Sequence, residues 1–294
     1  MVPAHAPAFP RDDIPGAYRH CEQLTRSHYE NFPVASLFLP KEKRPFLWSI
    51  YAFARTADDF ADEGTLSAGE RLRRLDEWEA RLDRCVAGDA DDPVFIALGD
   101  TLRKTGVPRE LLTDLLTAFR MDVTMNRYRT FQDLLGYCRY SANPVGRLVL
   151  HLFDNVTPRT IALSDTVCTA LQLANFWQDV GVDWGKGRLY LPLEDCERFG
   201  YNASDIAGGR AEAAFRRLLQ FQVERTRTLF EEGRLLMIEA TPRLRFELAL
   251  TWHGGVTILR KIRKQDYDVL GRRPVLTTAD MLGIVTRALL ERRR

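Results

Sequence analysis

Carboxylates recur at helical spacing in two places along this 294-residue chain. In IYAFARTADDFADE, residues Tyr51, Arg55, Asp58 and Asp62 stand at i, i+4, i+7 and i+11. At 3.6 residues per turn they share one helix face. Ile50, Phe53, Ala54, Ala57, Phe60 and Ala61 surround them and offer packing rather than solvation. In LQLANFWQDVGVDWGKGRLYLP, residues Gln172, Asn175, Asp179 and Asp183 stand at i, i+3, i+7 and i+11 among Leu171, Leu173, Ala174, Phe176, Trp177 and Val180. A surface face of Arg–Asp pairs accounts for the first stripe taken alone. A polar seam satisfied by another helix accounts for the second.

Taken together, the stripes point to a hard cation. Mg²⁺ takes oxygen ligands, usually one or two carboxylates completed by water and phosphate oxygens. Two such helices facing across a cavity suit several Mg²⁺ ions held against a diphosphate. That group leaves only when its charge is neutralised, and Arg55, Lys186 and Arg188 can add to the neutralisation. Apolar walls then shelter a carbocation from water. This is ionisation chemistry, and it needs no nucleophilic Ser or Cys.

The elements that must carry these residues are helices. Hydrophobic periodicity predicts them at about 15–31, 41–62, 67–86, 93–105, 108–125, 130–152, 158–183, 208–239, 243–268 and 277–292. Pro40, Pro108 and Pro192 fall near boundaries, and Gly64, Gly88, Gly106 and Gly271 punctuate helix ends. No alternating β-branched run bounded by hairpin turns appears. The expected fold class is all-α, with a loose proline-bearing arm over residues 1–14 and one helical domain over 15–294.

Composition narrows the function. A formal net charge of +2 gives no nucleic-acid footprint. The five cysteines, without a CxxC pair, argue against a disulfide framework or zinc knuckle and favour a reducing cytosol. The first residues lack the basic start and apolar core of a secretory signal. No stretch approaches the roughly 20 apolar residues of a membrane span, so membrane contact is expected only at the periphery.

The ordered segments Tyr51-x-x-x-Arg55-x-x-Asp58-x-x-x-Asp62, Tyr137-Cys138, Asn175-x-x-x-Asp179-x-x-x-Asp183 and Gly187-Arg188-x-Tyr190-x-Pro192 resemble the squalene/phytoene synthase family, over about His28 to Arg273. The resemblance implies an all-α isoprenoid-synthase helical bundle with a central apolar cavity. It implies Mg²⁺ as cofactor, with Asp58, Asp62, Asn175, Asp179 and Asp183 binding metal and diphosphate. By the same match Arg55 and Arg188 bind diphosphate, while Tyr51 and Tyr137 line the cavity near the reacting carbons. Gln172, Lys186 and Tyr190 are further candidates for substrate contact, and Asn175 and Arg55 for the chemistry itself.

Departures from the family pattern carry information. Its usual H-S-K-S-F segment reads His28-Tyr29-Glu30-Asn31-Phe32 here. The Arg that often precedes the first Asp of the second motif is Gln178, and the Glu before the last Asp is Val182. HYENFPVAS, YSANPVGRLVLHLF and LANFWQDV look like the hydroxysqualene synthase branch of bacterial squalene and hopanoid synthesis. That branch ionises presqualene diphosphate, rearranges the cation and quenches it with water. One diphosphate rather than two is consistent with the lost charges. Tyr29, Asn31, Tyr137 and Asn143 are candidates to hold the quenching water, with Tyr29 and Asn31 also candidates for substrate contact.

Plainer roles stand beside these. Tyr137 reads equally as a core tyrosine, and Tyr29 to Asn31 as a helix end. Asp122 matches a family acidic position or pairs with Arg127. Tyr267, Arg272 and Arg273 are read as closing the domain, and Cys138 and Cys168 as small buried hydrophobes. The rival enzyme reading is a condensing synthase using two prenyl diphosphates to make phytoene, dehydrosqualene or presqualene diphosphate. A non-catalytic helical assembly factor is the rival outside enzymes, and loss of either stripe would favour it. The basic segments Arg260 to Lys264 and Arg292 to Arg294 read equally as a solvated basic face and as salt-sensitive contact with the inner membrane surface of a cytoplasmic protein. The resemblance also implies upstream and downstream squalene-pathway enzymes as partners.

Overall fold

The computed structural model describes residues 9–27, 40–62 and 65–291. The chain gathers into two compact units, Met1–Thr124 and Met125–Arg294. Within the first, the described helices are α1 (Ile14–Ser27), α2 (Arg44–Asp62), α3 (Ala68–Val86), α4 (Pro93–Thr105) and α5 (Arg109–Thr124). Local chemistry sets their ends. Ser67 caps α3 by accepting from the Glu70 N–H at 3.3 Å. Asp92 caps α4 by accepting from the Val94 N–H at 2.9 Å, with Pro93 in the first turn. Gly106 closes α4 in the left-handed region at φ 64°.

The helix that carries the first stripe, α2, is the centre of this unit and packs on α1, α3, α4 and α5. Ala52, Phe53 and Ala57 on its inner face are fully buried. Trp78 lies against Phe53 with ring centroids 5.9 Å apart and donates its indole N–H to the Phe53 carbonyl at 3.2 Å. Apolar burial of this kind is worth about 25 cal/mol per Å² removed from water, so the aromatic cluster rigidly sets the rotation of α2. The stripe is thereby turned away from the core face.

The second unit holds α6 (Phe131–Ser141), α7 (Asn143–Leu152), α8 (Pro158–Gln178), α9 (Val180–Gly185), α10 (Leu193–Arg198), a 3₁₀ turn (Ala203–Gly208), α11 (Ala213–Gly233), α12 (Leu236–Glu239), α13 (Pro242–Lys264) and α14 (Thr278–Glu291). Capping boxes at Thr130/Asp133 and Thr157/Thr160 start α6 and α8. The long α8 packs on α7, α11 and α13. Its Trp177 is fully buried and donates to Thr226 Oγ1 of α11 at 2.7 Å. Gly146 lets α7 approach closely, because a Cβ there would collide with Ser164 Oγ and Cys168 Sγ of α8. The α13–α14 hairpin is pinned by the Lys261–Asp280 ion pair.

Several expected helices are corrected. The range 130–152 divides at Ala142, because Pro144 lacks an N–H and starts a new helix instead of continuing the old one. The range 158–183 breaks at Asp179, which adopts φ −108° and ψ 13°. The range 208–239 follows a 3₁₀ turn closed by Gly209 at φ 64°, becomes helical only at Ala213, and stops at Gly233 before the short α12. The range 243–268 ends at Lys264, followed by Asp266 and Tyr267 with left-handed φ of 52° and 60°. The short α10 was not expected. The other boundaries agree within a few residues, and all-α holds: among the described residues the sole β contact is an isolated bridge between Arg127 and Leu189. None of the described helices is long and apolar enough to cross a membrane. Positions 1–8 of the expected N-terminal arm, 28–31 of the first expected helix and 292–294 of the basic tail lie outside the described residues.

Candidate functional site

On α2 the stripe is present as predicted. Tyr51, Arg55 and Asp58 are half-buried and Asp62 is exposed at the helix end. Burial pushes the Tyr51 hydroxyl up from its ordinary range. The Arg55 side chain is only 17% exposed, and its Nη1 donates to Asp58 Oδ2 at 3.2 Å. Its Nη2 pairs with Asp59, one turn on. Asp59 was not singled out from the sequence, although its i+4 spacing from Arg55 is the signal that finds it. Arg55 is thus held at the surface of α2 by two carboxylates, with its charge shared between them.

The second stripe survives the helix break. The Asp179 N–H still donates to the Asn175 carbonyl at 2.9 Å, and the Asp183 N–H to the Asp179 carbonyl at 2.8 Å. These i→i−4 bonds keep Asn175, Asp179 and Asp183 on successive turns. Asn175 is exposed, whereas Asp179 and Asp183 are half-buried. Burial pushes the Asp183 carboxyl up to about 7, and the negative charge of Asp179 adds to the rise; Lys186, Arg188 and Arg273 oppose it.

Arg273 is the residue that the sequence reading undervalued. It does more than close the domain: its guanidinium takes both oxygens of Asp179, Nε on Oδ1 and Nη2 on Oδ2 at 3.0 Å. Next to it, the Pro274 carbonyl accepts from Gln178 Nε2 at 2.6 Å. Gln178 is 8% exposed. The residues on either side of the α8–α9 break are therefore gripped by adjacent residues nearly a hundred positions away. Arg273 ends the stretch that carries the family resemblance, but no periodicity links it to Asp179.

Arg188 and Tyr190 are positioned by a second backbone device. Gly187, at φ 79°, turns the chain out of α9 in a conformation that L side chains rarely adopt. The Arg188 N–H then returns to the Asp183 carbonyl at 2.8 Å. Residues 189–194 run beside 126–129, with Leu189 N–H on Asn126 O at 2.9 Å and Leu193 N–H on Tyr128 O at 3.0 Å. Arg127 donates to the Gly187 carbonyl at 2.7 Å and lies over the Trp184 ring. This brings Tyr190 into a buried aromatic cluster with Tyr128, Tyr137 and Phe176. Tyr190 stacks on Phe176 with centroids 3.8 Å apart, and Tyr137 lies 5.8 Å from Tyr190. Tyr137, suggested as cavity lining, and Tyr190, suggested for substrate contact, thus sit together on the flank of the helix that carries the second stripe.

The remaining candidates divide. Gln172 is half-buried two turns before Asp179, and Lys186 is exposed just after α9. Asn143 is buried with its amide oxygen accepting from Thr169 Oγ1 at 3.0 Å, which gives it a helix-packing role. Cys138 is fully buried and Cys168 half-buried, both as free thiols. Tyr29 and Asn31 lie outside the described residues.

The donor set fits Mg²⁺. It consists of carboxylate and amide oxygens, and the negative charge of Asp179 adds to the cost of ionising Asp183, a condition that a divalent cation relieves. Among the described residues no three His, Cys, Asp or Glu side chains converge as a ready-made cage. Mg²⁺ does not need one, since it is commonly held by one or two carboxylates completed by water and substrate phosphate.

Comparison with known proteins gives the family. Residues 25–280 match the profile of squalene/phytoene synthases. The chain is 37% identical to a hydroxysqualene synthase of Zymomonas mobilis subsp. mobilis over 262 residues, covering 87% of this chain and 85% of that one. It is 32% identical to a 15-cis-phytoene synthase of Synechococcus elongatus over 294 aligned residues, covering 95% and 94%. The crystal structure of squalene synthase HpnC from Alicyclobacillus acidocaldarius superposes with a TM-score of 0.83 at 44% identity, covering 87% of this chain and 96% of that one.

Proposed function

Because the chain belongs to the squalene/phytoene synthase family, whose members act on prenyl diphosphates, we propose that it ionises presqualene diphosphate with Mg²⁺ and releases hydroxysqualene and diphosphate. The observation that carries this reading is at position 178. Gln178 brings no charge to the second stripe, and its amide is spent on the Pro274 carbonyl. The stripe therefore lacks the cation that the family often places at 178, and the guanidinium of Arg273 is taken up by Asp179, consistent with one diphosphate rather than two. The higher identity to hydroxysqualene synthase supports the same choice.

Asp58, Asp62, Asn175, Asp179 and Asp183 are the proposed metal ligands. Bound Mg²⁺ supplies Lewis-acid neutralisation of the departing diphosphate. Arg55 and Arg188 add fixed positive charge on the same leaving group, with Lys186 at its margin. Gln172, Asn175 and Tyr190 contact substrate. The ring faces of Tyr137, Tyr190 and Phe176 stabilise the cation left behind, as aromatic quadrupoles do for any desolvated positive charge. Tyr51, Tyr29 and Asn31 are the polar groups assigned to the reacting end and the quenching water. The exposed Arg260, Arg263 and Lys264 of α13, and Leu282 of α14 at 70% exposure, support peripheral contact with an anionic membrane from which the lipid substrate is drawn. Enzymes that make presqualene diphosphate and consume hydroxysqualene are the expected neighbours.

Product analysis tests the reading. With presqualene diphosphate and Mg²⁺ in ¹⁸O-labelled water, labelled hydroxysqualene should form without NADPH. Farnesyl diphosphate alone should not be consumed. A condensing synthase is the second reading, favoured by the phytoene synthase matching more of the chain. Consumption of farnesyl diphosphate alone would establish it. A requirement for NADPH with squalene as sole product would overturn the hydroxysqualene assignment.

A further inference from the structure

We propose that Gln178 is a positioning residue, acting through Arg273 to set how readily Asp179 gives its oxygens to Mg²⁺; the inference rests on reading the second stripe as a Mg²⁺ site. Two neighbouring residues on one side of the contact grip two neighbours on the other. Gln178 Nε2 holds the Pro274 carbonyl at 2.6 Å, and Asp179 holds Arg273 through both carboxylate oxygens. The Gln178 amide is buried, while the Arg273 side chain is 47% exposed.

That asymmetry decides which bond governs the other. A half-exposed Arg–Asp pair alone is weak, because holding a long side chain in one place opposes the gain. A buried hydrogen bond to the adjacent backbone removes much of that freedom beforehand. It fixes the peptide from which Arg273 springs, leaving only the side chain to order. With the segment fastened, Arg273 occupies both oxygens that a metal requires and places a cation beside the approach. Mg²⁺ must displace at least one of its hydrogen bonds. Arg273 thus holds the Asp179 carboxylate until a stronger cation arrives.

The arrangement explains why an uncharged residue stands where the family often has Arg. A cation at 178 would lie on the stripe directly. Gln178 instead recruits the cation from position 273, whose half-exposed side chain can yield while its backbone stays fastened. A purely structural role for Gln178, as a satisfied buried amide holding the chain end, predicts lower stability and no change at the metal. The two are separable.

Mg²⁺ titration of the full chain by calorimetry, without substrate, provides the test. Arg273→Gln should tighten Mg²⁺ binding roughly tenfold, the scale of a lost charge-assisted hydrogen-bond pair. Gln178→Met, which keeps volume but loses the donor, should tighten it about threefold, and should add nothing in the Arg273→Gln background. Arg273 is exposed enough that its variant tests the idea even if Gln178→Met folds poorly. Unchanged Mg²⁺ affinity in Arg273→Gln, or an equal effect of Gln178→Met with and without Arg273, overturns the inference while the Mg²⁺ reading stands. No Mg²⁺ uptake by the unaltered protein overturns both.

Discussion

Asp58 and Asp179 occupy the first positions of their acidic pairs, and each already has a guanidinium partner. Replacing either by Asn keeps shape and hydrogen-bonding capacity but removes a charge that, on the proposed function, holds Mg²⁺ against the leaving diphosphate. Turnover should fall at least about 10²-fold, and chelation of divalent metal should abolish it in the unaltered protein. Turnover persisting in excess EDTA would refute the ionisation chemistry. A second residue-scale prediction concerns Glu247 on the buried face of α13, which is 8% exposed. Burial pushes its carboxyl up to about 7 from the ordinary 4.5. A raised folded-state value means that the folded protein binds more protons than the unfolded chain between those limits, so stability falls as pH rises from about 4.5 to about 7. Glu247→Gln should remove that loss. Its melting temperature should exceed that of the unaltered protein at pH 8, by an amount on the order of 1 kcal/mol in stability, and the gap should close toward pH 4.5. A gap independent of pH would mean that Glu247 ionises freely in the fold.

At the scale of elements, the interrupted helix α8–α9 organises the second stripe. The apolar pattern of 158–183 is continuous and contains no proline, so periodicity alone predicts an unbroken helix. The break at Asp179 coincides with side-chain bonds to residues 273 and 274, a tertiary fact that a local pattern does not carry. The break at Ala142, by contrast, was legible in Pro144. So was the turn after α9: Gly187 at φ 79° has nothing within 4 Å of a Cβ built on it, and the demand is purely conformational. Gly187→Ala should therefore destabilise by about 1–2 kcal/mol without steric collision. Thermal denaturation should show a drop of a few degrees, together with displaced Arg188 and Tyr190. An unchanged melting temperature would show that the segment relaxes at no expense.

At the scale of the molecule, the exposed basic end of α13 and the exposed leucines Leu282, Leu289 and Leu290 of α14 bear on where the protein works. Flotation with vesicles rich in anionic lipid should show binding at low salt that weakens as salt screens the cations, with Arg260→Glu/Lys264→Glu losing most of it. No binding at low salt would exclude the membrane role. The sequence by itself determined the all-helical class and the two acidic stripes, because both rest on 3.6-residue periodicity, a local property of the chain. Ordered motifs also carried the family, whereas the contact of Tyr137 with Tyr190 came from the structure. Only the tertiary structure decided that Asn143 serves helix packing, and that Gln178 and Asp179 are held by Pro274 and Arg273. The last of these pairings joins positions nearly a hundred residues apart, and such a partnership depends on packing that no periodicity encodes.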